Sequence, residues 1–458
     1  MNEQLKKIWE EIAEPFKNLF RVSKSMWGIN ISYLIEGLVY FGMLTLMVMY
    51  FNNYVKLDDI QAGRMVGFLT AGITLAMLFL GATVDWIGIR KALIVSILLM
   101  LLGRFILFIS PLSVFSYEIL HIITFLGLLG IILGYGIYQP ACYAAVKQFT
   151  DEKDAAMGYA MLYALMNLGG FLPGIISPII RNNVDKIYPD KGILAVYFVY
   201  ILFTIIGLFV IIFLLTEQNI KNDTKTIINH AGEDDPIANL PAKEKIRYYI
   251  KNFPLKDLRF MYFIFILIPV QTLFAHNWLT LPVYCERAFK GGVVSENFEF
   301  FSNINPLLIF VLTPIVATYT SKANTYKMMI LGTFVMAIPT FILATGATLT
   351  NLLLYLFLMT IGEAMWQPRF LQWVAEIAPK GMTGIYMGLG QFPWFLTKII
   401  TSLYSGWFLM KYCPQNTPIE KMNTEFMWLI YGFIAIISPL GLFLAKNWMI
   451  KGFKETSN

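Results

Sequence analysis

The chain has 458 residues, of which 57% are hydrophobic and only 14% charged, with a formal net charge of +6. Soluble domains carry about 45–50% apolar and about 25% charged residues, so this composition excludes an ordinary soluble globular protein and describes a membrane protein. The basic residues are scattered over connecting segments, which argues against a nucleic-acid partner, and three cysteines without CxxC or HExxH spacing exclude a disulfide framework and offer no metal site.

The first 25 residues mix Lys and Glu with apolar residues at helical spacing and lack a continuous apolar run. Residues 1–28 are therefore expected to be an amphipathic cytoplasmic N-terminus lying on the membrane surface, not a cleavable signal. A helix needs roughly 20 apolar residues to cross the hydrocarbon core. Segments that qualify run near 29–51, 63–84, 91–113, 117–147, 155–180 and 193–216. A polar interval over 217–256 reads as a cytoplasmic linker, and six more segments follow near 257–285, 299–320, 326–346, 351–377, 383–410 and 425–448. The expected fold is an all-α membrane protein of twelve transmembrane helices, with six-helix bundles over 29–216 and 257–448 and a cytoplasmic tail over 449–458.

With both termini inside, 23 of the 35 Lys and Arg fall on cytoplasmic segments, 9 on the outer loops and 3 within spans. The positive-inside rule favours that orientation, and the expected location is the plasma (inner) membrane, as a monomer. Cys285 and Cys413 fall near outer helix ends, where two free thiols are expected rather than a bridge.

The halves repeat. GIYQPACYAAVKQF (136–149) closes the fourth span and AMWQPRFLQWVAEI (364–377) the tenth, so that Gln139-Pro140 and Gln367-Pro368 superpose at an offset of 228, with Gly158 near the counterpart of Gly384. Parallel duplication of this kind builds six-plus-six carriers with a substrate site between the halves near the midplane.

A charge at the bilayer centre costs about 2.5–3.5 kcal/mol on insertion scales, so it faces a partner or water. Glu36 sits mid-span in the first helix, and Arg104 lies in the third. Glu363 lies about 18 Å into the tenth span at 1.5 Å per residue, and Lys398 sits at similar depth in the eleventh. Two carboxylates and a lysine suit proton coupling; a static Glu363–Lys398 ion pair is the alternative. Arg104 is expected to pack or snorkel rather than take part in transport. Arg369, six residues beyond Glu363, cannot share its helix face. Gln271, His276, Asn277, Asn305 and Asn167 outline a polar lumen, although any one of them can be an interhelical hydrogen bond. Tyr33, Tyr40, Tyr138 and Trp366 are candidates for its floor.

The loop GATVDWIGIRKAL (81–93) matches G-x-x-x-D-x-x-G-x-R-K and resembles the signature of the major facilitator superfamily. In it Gly81 and Gly88 permit close packing and a tight turn, Asp85 complements the next helix N-terminus, and Arg90 and Lys91 hold the loop inside. Such a loop serves gating or is a purely structural hinge. Its counterpart ATYTSKANTYK (317–327) keeps Lys327 without the acid.

Further blocks resemble the proton-dependent oligopeptide transporters. G-E-A-M-W-Q-P…A-P-K-G-M-T-G-I-Y-M-G (362–388) is similar to their tenth-helix block, INPLLIFVLTPIVA (304–317) to the eighth, LYALMNLGG (162–170) to the fifth, IEGLVYFGM (35–43) to the first and GYGIYQP (134–140) to the fourth. The resemblance implies a major facilitator fold and proton-coupled transport, without cofactor or metal. It also implies that Glu363 meets a peptide amino terminus, that Asn167, Gln271 and Asn305 bind peptide groups, and that Tyr40 lines the pocket. Three family positions differ: Tyr33 and Gly37 replace a Glu and an Arg, and Gln139 replaces the Lys that serves the substrate carboxylate.

The expected function is secondary active transport of a small polar solute, with di- or tripeptides as the first candidates, by alternating access. The alternative is a carrier or exporter of a non-peptide solute (drug-like, nucleoside, sugar or amino-acid derivative) with altered or no proton coupling. A non-transporting sensor is a further class, and no nucleophile, paired-acid or metal constellation supports an enzyme.

Overall fold

The computed structural model describes residues 23–449 except 82, 114, 151, 225–243, 245–246, 249–250, 252, 321–322, 378–385 and 387–388. The amphipathic N-terminus, most of the 217–256 linker, Gly384 and nearly all of the tail lie outside the described residues, as does the side chain of Asp85.

The described chain is helical, as lipid demands of a single-segment span, because only a helix satisfies its own backbone polar groups there. The six principal helices of the first half are α1 (Lys24–Tyr50), α2 (Asp59–Leu80), α3 (Ile89–Ile109), α4 (Tyr117–Phe149), α5 (Glu152–Ile187) and α6 (Gly192–Leu214). In the second half are α7 (Leu258–Leu279), α8 (Phe298–Thr320), α9 (Thr325–Leu343), α10 (Leu349–Ile377), α11 (Phe392–Tyr412) and α12 (Thr424–Leu444).

Eleven of these are long and apolar enough to cross a membrane, and α11 is the exception among the described residues. The reason is compositional: α11 carries Lys398, Thr397, Thr401, Ser402 and Ser405. Pro140, Pro173, Pro178, Pro368 and Pro439 all lie inside helices, a position that membrane bundles tolerate because neighbours re-satisfy the freed carbonyls.

Within each half the third and fourth members pack with backbone nearly touching. A Cβ on Gly130 of α4 would lie 3.2 Å from the Gly103 Cα of α3, and one on Gly332 of α9 would lie 2.8 Å from the Trp366 Cβ of α10. Small residues at such crossings replace the hydrophobic drive that lipid cannot supply.

Cα packing separates the chain into two units. One holds the described residues of Met1–Ile227 with His276–Val311 and Ile399–Thr424; the other holds those of Ile228–Ala275, Leu312–Lys398 and Glu425–Asn458. The first unit therefore contains the six N-terminal helices together with one end of α7, α8 and α11.

Candidate functional site

Glu36 and Arg104 are brought together in the first unit. The Arg104 Nη1 donates to Glu36 Oε2 at 3.0 Å and to Thr204 Oγ1 at 2.6 Å, while Nη2 and the Tyr135 hydroxyl both donate to Glu36 Oε1. Arg104 is 1% exposed. It does not snorkel: the sequence reading missed its partner, because Glu36 lies 68 positions away on α1. Both carboxylate oxygens of Glu36 are thereby engaged, and the pair ties α1, α3, α4 and α6 into one core.

Along the same side of α1, Tyr33 stacks on Tyr138 with centroids 6.2 Å apart and planes 9° from parallel. Its ring sits against Gln139 and Tyr143. Tyr40 packs on Tyr135 at 4.9 Å. Tyr143 and Tyr159 are exposed neighbours at 6.2 Å, and Asn167 Nδ2 donates to the Tyr163 carbonyl at 2.9 Å. The wall that α1, α4 and α5 build is thus phenols and carboxamides. Among the described residues its only mid-span cation is Arg104, which is consumed by Glu36.

In the second unit, Gln271 is 1% exposed and accepts from Thr397 Oγ1 at 3.3 Å, and its Nε2 has no hydrogen-bond partner. Thr397 immediately precedes Lys398, so α7 and α11 meet here. Glu363 is buried and Lys398 half-buried. Trp366 is fully buried; its Nε1 donates to Met336 Sδ at 3.1 Å and its ring packs on Phe274. Its indole N–H is therefore committed to α9. Arg369 Nη2 donates to the Thr320 carbonyl at 2.7 Å, at the end of α8.

Asn305 belongs to the first unit and is buried in α8. His276 uses both ring nitrogens, on Thr280 Oγ1 at 2.7 Å and Tyr404 OH at 3.1 Å, the satisfied helix contact expected of a lone intramembrane histidine.

The distal end of the first unit, where α1 finishes and α2 begins, joins the two sequence halves. Arg287 Nη1 and Nη2 donate to Asp59 Oδ2 and Oδ1 at 2.7 and 2.8 Å, and Arg181 Nε and Nη2 donate to Glu299 Oε1 and Oε2 at 2.5 and 2.9 Å. Both are fork-to-fork pairs, the strongest geometry for an ion pair. Arg287 and Asp59 are 4% and 7% exposed.

Asn303 Nδ2 donates to Thr45 Oγ1 at 2.9 Å, tying α8 to α1. Gly63 and Gly67 of α2 face Ser402, Ser405 and Gly406 of α11, and a Cβ on Gly406 would overlap the Asp59 carbonyl. The sequence reading missed both ion pairs. The available signal was that Asp59 and Arg287 stand 228 residues apart, the offset of the Gln-Pro repeat.

Gly406→Val is expected to wedge this crossing, at about 1–3 kcal/mol for overpacking. A cysteine placed at the buried Ser405 then reacts roughly tenfold faster with an impermeant maleimide, while the melting temperature changes little. Unchanged reactivity would show that the crossing does not need Gly406.

Cys285 and Cys413 are both free and buried. Burial pushes the Cys413 thiol up to about 12, with Arg287 acting in the opposite direction. In the α2–α3 loop Gly88 has φ +78, the left-handed conformation its tight turn requires, and a Cβ on Gly81 would lie 3.5 Å from Pro140. Arg90 is half-buried with its Nε unpartnered, and Lys91 is exposed.

The family model described as Major Facilitator Superfamily matches residues 29–402. Solute carrier family 15 member 1 of Homo sapiens is 23% identical over 256 residues, covering 52% of this chain and 36% of that protein. Solute carrier family 15 member 2 of Danio rerio is 27% identical over 198 residues, covering 40% and 27%. The chain thus aligns with about a third of these relatives' length.

Among solved structures, the peptide transporter POT in complex with sulfate superposes with a TM-score of 0.68 at 17% identity, covering 94% of this chain and 96% of that one. A bacterial homologue of the human drug peptide transporters PepT1 and PepT2 gives 0.70 at 16%, covering 94% and 100%. At such identity the likeness shows the fold alone.

Proposed function

Since this chain belongs to the Major Facilitator Superfamily, we propose that it is a secondary active transporter, not an enzyme, moving a peptide-like solute by alternating access with proton coupling through Glu363. The observation that carries this reading is the distal end. Two fork-to-fork ion pairs, Arg287–Asp59 buried and Arg181–Glu299 half-buried on the arginine side, and a glycine–serine crossing join the sequence halves there, all of them contacts between helix ends and faces. A pathway sealed at one end by separable contacts is the element that alternating access requires.

With both termini cytoplasmic, as the distribution of basic residues favours, the distal end faces outside. The α2–α3 loop then lies at the cytoplasmic mouth of the plasma membrane protein, with six spans in each half and a linker between. Monomeric function is the simplest arrangement, because the ion pairs close within one chain. Glu36 acts as a strut through Arg104, and Glu363, Lys398, Gln271 and Asn305 are the polar groups assigned to substrate and proton.

The test is uptake of a labelled dipeptide into liposomes with an inside-alkaline gradient. Wild type accumulates it; Glu363→Gln abolishes gradient-driven accumulation while retaining counterflow. Accumulation by Glu363→Gln that still follows the gradient would remove Glu363 as the coupling group.

A second reading follows from the first-half wall. Its phenols and carboxamides, with Gln139 and, among the described residues, no available mid-span cation, suit a solute without a carboxylate. Uptake of a dipeptide amide but not of the free dipeptide selects this reading.

A further inference from the structure

Four segments at the distal end line an open cavity of about 390 Å³, within the usual span of roughly 300–1,000 Å³ for ligand sites. The α1–α2 turn contributes Asn53 and Lys56, the end of α5 and the turn after it Asp185 and Asp190, the segment after α7 Glu286 and Arg287, and the segment after α11 Gln415. Both sequence halves therefore line it.

Of the charges around this cavity, Arg181 is paired with Glu299 and lies near Asp185 and Glu286, while Lys56, Asp190 and the Arg287 Nε have, among the described residues, no opposite charge within hydrogen-bond reach. Arg287 spends Nη1 and Nη2 on Asp59, Asn52 and the Cys413 carbonyl, but its buried Nε has no hydrogen-bond acceptor. Glu286 Oε2 is 3.9 Å from it, beyond hydrogen-bond reach. Burial pushes the Glu286 carboxyl upward against the opposing effect of Arg287, Lys290 and Arg181, so it is a weakened partner for that Nε–H.

Lys56 Nζ donates to the Asn53 carbonyl at 2.5 Å and has two further N–H donors. Asp185 takes the Gly192 N–H on Oδ1 at 2.6 Å, which leaves Oδ2 without a donor. Asp190 is held through its carbonyl, which accepts from Tyr54 OH at 2.6 Å, and its carboxylate makes no hydrogen bond.

The backbone aims these groups at some cost. Lys56 and Asp190 have φ of +62 and +61, two of the three positive values among described non-glycine residues, and the third, Asn416, follows the cavity-lining Gln415. Opposite charges that share a cavity and stay apart define a slot for a molecule carrying both signs.

We propose that this cavity binds a small zwitterion, an amino acid or short peptide, with its carboxylate between Arg287 Nε and Lys56 and its ammonium between Asp185 and Asp190. Only its placement on the outer face rests on the orientation given above. A zwitterion here bridges both sequence halves while the distal end is closed. It therefore stabilises that closure, and external ligand slows reopening.

The experiment uses the full chain in detergent, with Asn53→Cys as an exposed reporter; the native cysteines are buried. Glycylglycine at about ten times its Kd is expected to slow maleimide labelling roughly tenfold. Glycinamide, with only the cation, and N-acetylglycine, with only the anion, give no protection. Lys56→Ala and Asp190→Ala, each checked for an unchanged melting temperature, lose the glycylglycine protection.

Equal protection by the single-charge probes, no protection by glycylglycine, or protection that survives both substitutions would each overturn the site. The detergent assay needs no transport, so failed uptake in liposomes leaves this result standing. Labelling of sealed right-side-out vesicles separates the orientation: reaction from outside is expected, and reaction only after permeabilisation overturns the external placement.

Discussion

Glu36→Ala is expected to destabilise the protein by about 3–5 kcal/mol, the usual cost of stripping one partner from a buried ion pair. The physical cause is the charge left behind. Arg104 is 1% exposed and its other polar neighbours are the hydroxyls of Thr204 and Tyr135, so neither water nor a second carboxylate can replace Glu36. Removing both charges is much milder: Glu36→Met with Arg104→Met is expected to recover most of the loss, because a buried pair and an apolar pair of similar volume are close in energy.

Thermal unfolding in detergent of the two single variants and the double variant measures the coupling directly. Additive single effects would show that the two side chains act independently. Loss of transport in Glu36→Ala at full stability would instead return Glu36 to a coupling role.

Asp59→Asn is expected to open the distal end. It leaves Arg287 buried with a neutral partner, at about 3–5 kcal/mol by the same argument, equivalent to a shift of roughly 100-fold or more between closed and open states. The change falls on connections rather than on a helix core, so the population shifts more than the fold unravels. A cysteine at Ser405 reports it through faster maleimide reaction, with the melting temperature as control. Asp59→Arg combined with Arg287→Asp restores the slow rate if the pair acts by charge. A rate in Asp59→Asn equal to that of wild type would mean that the Arg181–Glu299 pair and the α2–α11 crossing hold the end closed alone.

These two ion pairs also mark where sequence reading stopped. Glu36, Arg104, Glu363 and Lys398 were visible as charges in apolar segments, because each departs from the composition around it. That Glu36 and Arg104 meet each other was not visible. Glu36 and Arg104 stand 68 residues apart, and Arg181 and Glu299 stand 118 apart. An apolar-transfer scale records the cost of such a charge and carries no term for who meets it.

Asp59, Arg181 and Arg287 drew no notice at all, since a charge at a helix end looks solvated until the opposite half covers it. Trp366 and His276 likewise became definite only when Met336, Thr280 and Tyr404 were placed beside them.

By itself the sequence determined that the chain is helical and membrane-spanning and roughly where its apolar spans run, and it showed the Gln-Pro motif twice at an offset of 228. Those properties follow from local composition: an apolar run of about 20 residues in lipid has one way to satisfy its backbone, and a duplication repeats its motifs. The span expected over 383–410 is the one whose described helix, α11, falls short of the apolar length the others reach. Only the tertiary structure decided which charges are struts, which join the halves, and which stand unpaired around the distal cavity. Pairing is a matter of distance and desolvation between residues far apart in the chain, and neither quantity exists until the helices are packed.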